Sequence, residues 1–239
     1  RQMFEAAYPG TPFNQMTFAH ASNAMAGFIV NQLTFANSPW DRFLGGNDAA
    51  LSADEVRGGI TFMNSRCAGC HSGALFSDGK SRNVALAQFG PGEGNGPSGH
   101  DDFGRMNVTG AATDKYLFRT SPLRNIELTG PYGHAGQFAQ LRDFVDHYSD
   151  VDNKLRTYNV NQIDRSLRGT LLPTTDDIIA NRAAGLTGLV LTSQQVDDIT
   201  RYLKTLTDPA ARNLLHLTPV RVPSGLPVPF TIDLTGLIP

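Results

Sequence analysis

Cysteine is scarce in this sequence: only Cys67 and Cys70 occur among 239 residues. A zinc site needs about four ligands, usually completed by a second Cys/His pair, and no such pair follows these two. The chain also lacks an excess of charge, because 20 basic and 22 acidic residues give a formal net charge of -2. With no long run of either sign, neither nucleic acid nor an anionic membrane is an implied partner.

Long apolar runs are missing as well. No uninterrupted apolar stretch is long enough to cross a bilayer, so we predict no membrane span. The sequence begins at Arg1 without a signal-like apolar region. Either an export signal has been removed, or the chain starts inside a longer polypeptide. At this length the chain can bury a substantial core, as one large domain or as a domain with extensions.

Both cysteines stand in the sequence Cys67-Ala68-Gly69-Cys70-His71. This is the C-x-x-C-H pattern by which c-type haem is attached. Two thiols on one tight turn can add to the two vinyl groups on one porphyrin edge, and His71 then becomes the proximal iron ligand. A thioredoxin-type redox pair would follow a strand in a βαβ pattern, which is not visible here. A disulfide without a cofactor is the remaining alternative.

Hydrophobic spacing predicts a mainly α protein whose helices are joined by long irregular loops. The helices are expected at 17–35, 52–66, 141–148 and 192–207. The second and fourth begin with capping boxes, Ser52 with Glu55 and Thr192 with Gln195. Alternating glycines in 90–99 predict a surface loop, and 118–136 is too rich in proline and glycine for regular structure.

The expected fold is a cytochrome c-like helical haem domain, in which haem supplies much of the hydrophobic core. We predict that this domain covers residues 1–207, with 1–50 as its lead-in. Residues 208–239 are predicted to form an extended tail, because five prolines follow Thr218.

The residue opposite His71 on the iron is left open by these patterns. Met, His, Tyr, water or nothing can fill that position. Met63 is predicted to lie on the core face of its helix and is interpreted as packing, whereas Met106 and His134 stay open as ligands. Tyr148 completes an apolar helical stripe, a pattern more typical of the core than of a ligand.

The other histidines carry no supporting pattern. We interpret His20, His100 and His216 as surface or capping residues. His147 is expected beside the apolar face of its helix, whereas Tyr148 is expected on that face.

Several motifs resemble those of the bacterial di-haem cytochrome c peroxidases and the related MauG enzymes. In order they are Asn37-Ser38-Pro39-x-Asp41-Arg42-Phe43-Leu44, Leu51-Ser52-Ala53, Gly104-Arg105-Met106-x-Val108-Thr109, Ser121-Pro122-Leu123-Arg124-Asn125 and Leu128-Thr129-x-Pro131-Tyr132-x-His134-x-Gly136. They follow the family's order and spacing over nearly all of residues 1–207. The resemblance corresponds to the C-terminal haem half of those enzymes.

The resemblance implies iron ligands. His71 would be the proximal ligand of a six-coordinate haem. Tyr148 stands where the peroxidases have a distal Met and where MauG-like members have a Tyr, so the chain is closer to the MauG-like branch. A phenolate is a hard anionic donor that stabilises ferric and higher iron states and lowers the potential.

The resemblance also implies a calcium ion and two catalytic candidates. The backbone carbonyls of Thr129 and Pro131 match positions that bind calcium between the two haems, and carbonyl oxygen is a suitable hard ligand. Arg124 would serve a haem propionate or a conformational gate, unless it forms an ordinary buried ion pair. His134 matches the family's histidine near the region between the haems.

Two departures from the family change these expectations. Family members carry a second C-x-x-C-H in an N-terminal domain, where peroxide binds, and this chain has none. We therefore expect a second haem on a missing N-terminal half or on a companion chain. Trp40 stands where the family usually has Phe. It is interpreted as packing, although an indole near a protein surface can also relay electrons.

The first function hypothesis is a periplasmic di-haem peroxidase or MauG-like oxidoreductase. Hydrogen peroxide would be the oxidant, and a small redox protein or a modified protein side chain the reductant. Haem attachment takes place outside the bacterial inner membrane, which favours the periplasm. A mono-haem electron carrier without catalysis is the second hypothesis. The third is a structural or binding module with a disulfide or with no cofactor.

Overall fold

A computed structural model describes residues 1–219 and Val222. Its helices are α1 (Gln2–Ala7), α2 (Phe18–Gln32), α3 (Pro39–Leu44), α4 (Ala53–Asn64), α5 (Met106–Thr109), α6 (Leu141–His147), α7 (Val151–Arg156), α8 (Thr175–Ala180) and α9 (Ser193–Lys204). Two short strands, β1 (Ser81–Arg82) and β2 (Phe118–Arg119), pair antiparallel. The prediction of a mainly α protein with long irregular loops is confirmed.

Single 3₁₀ turns lie between many of these elements. They are Phe13–Gln15, Asp48–Ala50, Cys67–Gly69, Ala112–Asp114, Ile126–Leu128, Val160–Gln162, Arg168–Thr170, Ala184–Leu186, Pro209–Arg212 and Leu215–Leu217. None of the helices in the described ranges is long and apolar enough to cross a membrane.

The chain divides into two compact units. One is Asn37–Pro209, and the other combines Arg1–Ala36 with the described residues from Ala210 onward. The predicted boundary at residue 207 stays a prediction. Of the predicted tail, 208–239, residues 220, 221 and 223–239 lie outside the described residues.

Helix α2 belongs to the unit that contains Arg1–Ala36. Its capping box uses His20, whose Nδ1 accepts a hydrogen bond from the Thr17 backbone at 3.0 Å, so the capping interpretation of His20 is confirmed. No residue of α2 is buried, and the predicted apolar face is exposed in this unit. The hydrophobic spacing therefore predicted the helix but not its burial.

The main core of the larger unit lies between α4, α6 and α9. Capping boxes begin α4 and α9 as predicted: the Glu55 backbone donates to Ser52 Oγ at 3.4 Å and the Gln195 backbone donates to Thr192 Oγ1 at 3.2 Å. The buried residues of this core are Phe62, Phe76, Leu86, Leu123, Tyr132, Phe138, Leu141, Val145, Leu191, Val196, Ile199, Tyr202, Leu203 and Leu206. A second core cluster consists of Ala85, Ala87, Tyr116, Val151, Leu155 and Ile178.

Helices α4 and α9 pack closely because two glycines of α4 face α9. A Cβ atom built on Gly58 would lie 2.0 Å from the Asp198 carbonyl oxygen, and one on Gly59 would lie 3.1 Å from the Tyr202 ring.

The interpretation of Met63 as a core residue was wrong. Met63 is 46% exposed and Ile60 is 57% exposed, whereas Gly58, Gly59 and Phe62 form the buried face.

A short helix was missed by the sequence analysis. No helix was predicted between the helices at 17–35 and 52–66, but Pro39 occupies the first turn of α3. Ser38 and Asp41 form a capping box, with the Ser38 backbone donating to Asp41 at 3.0 Å. The Trp40 backbone donates to the Thr205 carbonyl at 3.1 Å, which ties α3 to the end of α9.

The segment 83–90, which precedes the predicted surface loop, is buried without regular structure. Buried polar backbone needs partners, and this segment takes them from distant residues. Asn83 donates to the Ile178 carbonyl at 2.8 Å, Gln137 donates to the Ala87 carbonyl at 3.0 Å, and the Gly90 backbone donates to Thr170 Oγ1 at 2.8 Å. The sequence pattern did not show this burial.

We expect Gly58→Ala to lower the free energy of unfolding by about 1–3 kcal/mol, because the added methyl group forces α4 and α9 apart. Gly27→Ala is the matched control, since a Cβ at this helical glycine of α2 meets nothing within 4 Å. Urea unfolding followed by circular dichroism measures both variants. Equal stability of Gly58→Ala and the wild-type chain would show that the two helices can separate without cost.

Candidate haem-attachment site

Helix α4 leads directly into the attachment turn. Arg66 adopts a left-handed conformation with φ 69°, and the 3₁₀ turn Cys67–Gly69 follows. The Cys70 and His71 backbones both donate to the Cys67 carbonyl, at 3.1 and 2.9 Å. This compact turn holds the two sulfur atoms and the imidazole within five consecutive residues. Both cysteines are free thiols, so the disulfide alternative is not present in this structure.

The environment of the two thiols is partly buried. Burial raises the pKa of Cys67 and of Cys70 above the ordinary thiol value, so both thiols are protonated at neutral pH. Cys67 Sγ lies 3.4 Å from Ser65 Oγ, the nearest polar side-chain group recorded for it.

His71 is oriented for metal binding by a hydrogen bond to the backbone. Its Nδ1 lies 2.9 Å from the Phe76 carbonyl oxygen, so Nδ1 carries the proton and donates, and Nε2 keeps the lone pair. Burial lowers the pKa of His71, although the Phe76 carbonyl opposes that effect. A neutral imidazole with its proton on Nδ1 is the form that metal-binding histidines use.

Tyr148 ends α6 and is half-buried. Its hydroxyl makes no hydrogen bond to any described residue. Burial raises its pKa, and negative charge on Cys67 or Cys70 would raise it further. The assignment of Tyr148 to the same site as Cys67 and Cys70 stays a prediction. A pair of free thiols, a neutral His and an unbonded Tyr fit covalent haem.

Arg82 and Asp78 form an ion pair beside this site, and no sequence pattern pointed to them. Arg82 donates to both Asp78 oxygens, at 2.8 and 2.6 Å, and to Thr120 Oγ1 at 2.9 Å. The strand pair β1–β2 holds Arg82 and Thr120 together. Burial has the larger effect on the pKa of both Cys70 and His71. The positive charge of Arg82 partly offsets the raised pKa of Cys70 and adds to the lowering of the pKa of His71.

The two rival distal ligands lie in other surroundings. His134 Nε2 is 2.7 Å from Asp102 Oδ2, and the His134 ring stacks on Phe118 with the ring centroids 3.7 Å apart. Met106 begins α5, whose main contacts are with the following turn, Ala112–Asp114. His134 is thus already paired with a carboxylate, and the distal ligand stays a prediction.

Arg124 forms the ion pair that its alternative interpretation described. It donates to the two oxygens of Asp41 at 2.9 and 2.8 Å and to the Ala74 carbonyl at 2.7 Å. Burial alone would raise the pKa of Asp41, but hydrogen bonds from Arg124 and Ser38 outweigh it and lower that pKa. This contact fixes α3 against the loop that follows His71.

The carbonyls of Thr129 and Pro131 lie in an exposed loop. Neither oxygen accepts a hydrogen bond from a described residue, so both are available to a hard cation. Two carbonyl oxygens are fewer than the six to eight oxygen ligands that calcium takes. Among the described residues no group of three or more His, Cys, Asp or Glu side chains is placed to hold a metal ion.

His147 is buried, in contrast to its expected place beside the apolar face. It is 2% exposed, and its ring contacts the rings of Phe138 and Phe144. Nε2 lies 2.8 Å from the Val84 carbonyl oxygen and Nδ1 has no partner, so Nε2 carries the proton. Burial lowers the pKa of His147 to about 4, which keeps the ring neutral at pH 7. The hydrogen bond joins α6, just before Tyr148, to the buried segment 83–90.

Known proteins resemble this chain in sequence and in structure. A cytochrome c551 peroxidase of Pseudomonas aeruginosa is 38% identical over 148 residues, which cover 59% of this chain and 40% of that protein. MauG of Methylorubrum extorquens is 32% identical over 130 residues, which cover 54% of this chain and 34% of that protein. No family model matches.

A solved structure, of a MauG-like protein associated with microbial copper homeostasis, matches with a TM-score of 0.57 and 25% identity. It covers 75% of this chain and 54% of that one. The chain is thus similar in sequence to a cytochrome c peroxidase and to MauG, and similar in fold to a MauG-like protein. The family resemblance inferred from the motifs is thereby confirmed. The chain spans less than half the length of these two curated relatives.

We expect His147→Leu to lower the free energy of unfolding by about 1–3 kcal/mol, because it leaves the buried Val84 carbonyl without a donor. His147→Gln keeps an N–H donor and is expected to recover most of that loss. Chemical denaturation of the two variants beside the wild-type chain gives the comparison. If Gln and Leu cost the same, the hydrogen bond to Val84 contributes nothing measurable.

Proposed function

We propose that the chain is the C-terminal haem domain of a periplasmic di-haem peroxidase-like oxidoreductase, closer to MauG than to the cytochrome c peroxidases. It would exchange electrons with a second, peroxide-reactive haem on an N-terminal domain or companion chain. The observation that supports the proposal is the attachment turn, in which Cys67, Cys70 and His71 lie within five residues and the Phe76 carbonyl orients His71. The effect of charge on both cysteines on the Tyr148 phenol supports Tyr148 as a further ligand.

The residues of this site divide the work of holding haem. Cys67 and Cys70 would form the two thioether bonds, and His71 Nε2 would bind the iron while the Phe76 carbonyl holds its ring in place. When bound, haem supplies one-electron chemistry between iron oxidation states. Partial burial of the attachment turn lowers the pKa of His71 and favours the neutral ring, the form that can donate a lone pair.

Tyr148 would be the sixth ligand. Its raised pKa means that the free phenol is protonated at neutral pH, so binding to iron requires the metal to displace the proton. Phenolate then stabilises the ferric and higher states, which suits a haem that stores oxidising equivalents.

Hydrogen peroxide would be the final oxidant. The reductant would be a small redox protein or a protein side chain undergoing modification. The exposed carbonyls of Thr129 and Pro131 would supply two oxygen ligands for calcium, with the others coming from water and from the companion haem domain. Arg124, through Asp41, and His134, through Asp102, would fix loops of this domain near that neighbour.

A mono-haem electron carrier is the second candidate. The C-x-x-C-H of residues 67–71 by itself suits electron transfer, because one haem with two protein ligands has no open position for peroxide.

We expect Tyr148→Phe to replace the low-spin ferric signal with a high-spin one, since the phenyl ring cannot bind iron. Electron paramagnetic resonance of the ferric protein measures this. Tyr158→Phe is the matched control, because Tyr158 is partly buried in the same core and its hydroxyl is bonded to the Gln137 carbonyl. A low-spin signal that persists unchanged in Tyr148→Phe would remove Tyr148 from the ligand set.

Peroxide consumption separates the enzyme from the carrier. The polypeptide that carries this chain, produced at its full natural length in a bacterium that attaches c-type haem, should consume hydrogen peroxide with a reduced c-type cytochrome as donor. The Cys67→Ser/Cys70→Ser double variant should lose the covalent haem of this domain and most of the activity. A haem-bearing protein with no peroxide consumption would leave the electron carrier as the function.

A further inference from the structure

Trp40 forms part of a surface pocket close to the attachment site. The pocket has a volume of about 410 Å³, and its lining includes Trp40, Phe43, Ile60 and Met63. Ile60 and Met63 belong to α4, the helix that ends three residues before Cys67. One side of the Trp40 indole is therefore accessible from outside the protein.

The other side of Trp40 contacts the residue that orients His71. The Trp40 and Phe76 rings meet edge to face with their centroids 6.3 Å apart. The Phe76 carbonyl oxygen is 2.9 Å from His71 Nδ1. Phe76 is thus the single residue between the indole and the proposed proximal ligand.

Phe43 and Tyr202 are the other aromatic neighbours of Trp40. The Trp40–Tyr202 centroids are 5.3 Å apart, which is closer than the contact with Phe76. An oxidised phenol must release its proton, however, and the buried Tyr202 hydroxyl has no hydrogen-bond partner among the described residues. Phe43 has no redox chemistry accessible to a protein. An indole can lose one electron without first losing a proton, so Trp40 is the suitable redox group in this cluster.

We propose that Trp40 is a one-electron relay between the surface pocket and the iron centre bound by His71. The proposal rests on the proposed function. Trp40 passes one electron through Phe76 and His71 to the oxidised iron centre and becomes an indole cation radical. A reduced one-electron donor protein at the surface returns one electron to the indole. Hydrogen peroxide, the final oxidant, takes up two electrons and two protons and becomes two waters.

Packing alone does not require an indole at this position. Phe43 already stacks on one face of Trp40, and the pocket beside it is open. A phenyl ring at this position fills the same site without redox chemistry. Trp40→Phe is therefore a variant that keeps an aromatic ring at this site and removes the relay.

A photochemical label tests the relay directly. In the haem-bearing protein both native cysteines are bonded to haem, so Ile60→Cys provides a single thiol beside Trp40 for a ruthenium polypyridyl complex. Flash excitation with an external electron acceptor creates Ru(III), which takes one electron from the ferrous iron. The rate of iron oxidation is read from the haem absorbance.

We expect Trp40→Phe to slow this oxidation by about tenfold, equivalent to about 1.4 kcal/mol of activation free energy. A transient indole radical absorbance should be present with Trp40 and absent with Phe. The same substitution should not alter the rate when the label is moved to Val108→Cys, an exposed position on α5. Phe43→Leu, in the same pocket, should leave the rate with the Ile60→Cys label within twofold of the parent.

The midpoint potential is measured for each variant so that rates are compared at equal driving force. Equal rates for Trp40 and Phe with the Ile60→Cys label, in a protein with intact covalent haem, overturn the relay alone. A protein without covalent haem overturns the proposed function and the relay with it.

Discussion

Helices α4 and α9 meet at the level of their backbones, because Gly58 places no side chain between α4 and the Asp198 carbonyl. This contact fixes the end of α4, and the attachment turn follows within three residues. Gly59 makes room for the Tyr202 ring, which in turn packs against Trp40 and Phe76. The orientation of His71 depends on Phe76, so the glycine contact between the two helices supports the geometry of the proposed iron ligand.

Local signals in the sequence predicted the helices that build this arrangement. Some of these signals span only a few residues and can be read directly from the sequence. They are the Ser52–Glu55 and Thr192–Gln195 capping boxes and the C-x-x-C-H motif. The buried face of α4 was misassigned because a pattern of apolar side chains does not count glycine as a buried residue. Met63 continued the apolar pattern, but the close contact uses Gly58 and Gly59 instead.

Contacts between residues that are distant in the sequence could not be predicted from these local patterns. The sequence analysis singled out Arg124, but its partner Asp41 lies 83 positions earlier. The residues around either side chain give no indication of this pairing. The same holds for His134 and Asp102. His147 looked peripheral because its partner is a backbone carbonyl, that of Val84, which has no sequence signature. Tyr148 was assigned through the family resemblance, since its stripe alone is typical of a core residue.

The buried segment 83–90 has a consequence for the order of folding. Its long-range hydrogen-bond partners lie between 50 and 100 positions later in the chain, at Gln137, His147, Thr170, Leu172, Ile178 and Ala183. Contacts over such separations form late, because the intervening loop must first be closed. Val84 and Leu86 pack in the same core as Cys67. We therefore expect the thiols to be fully accessible early in folding and to become partly buried only when the later segments of the domain have packed.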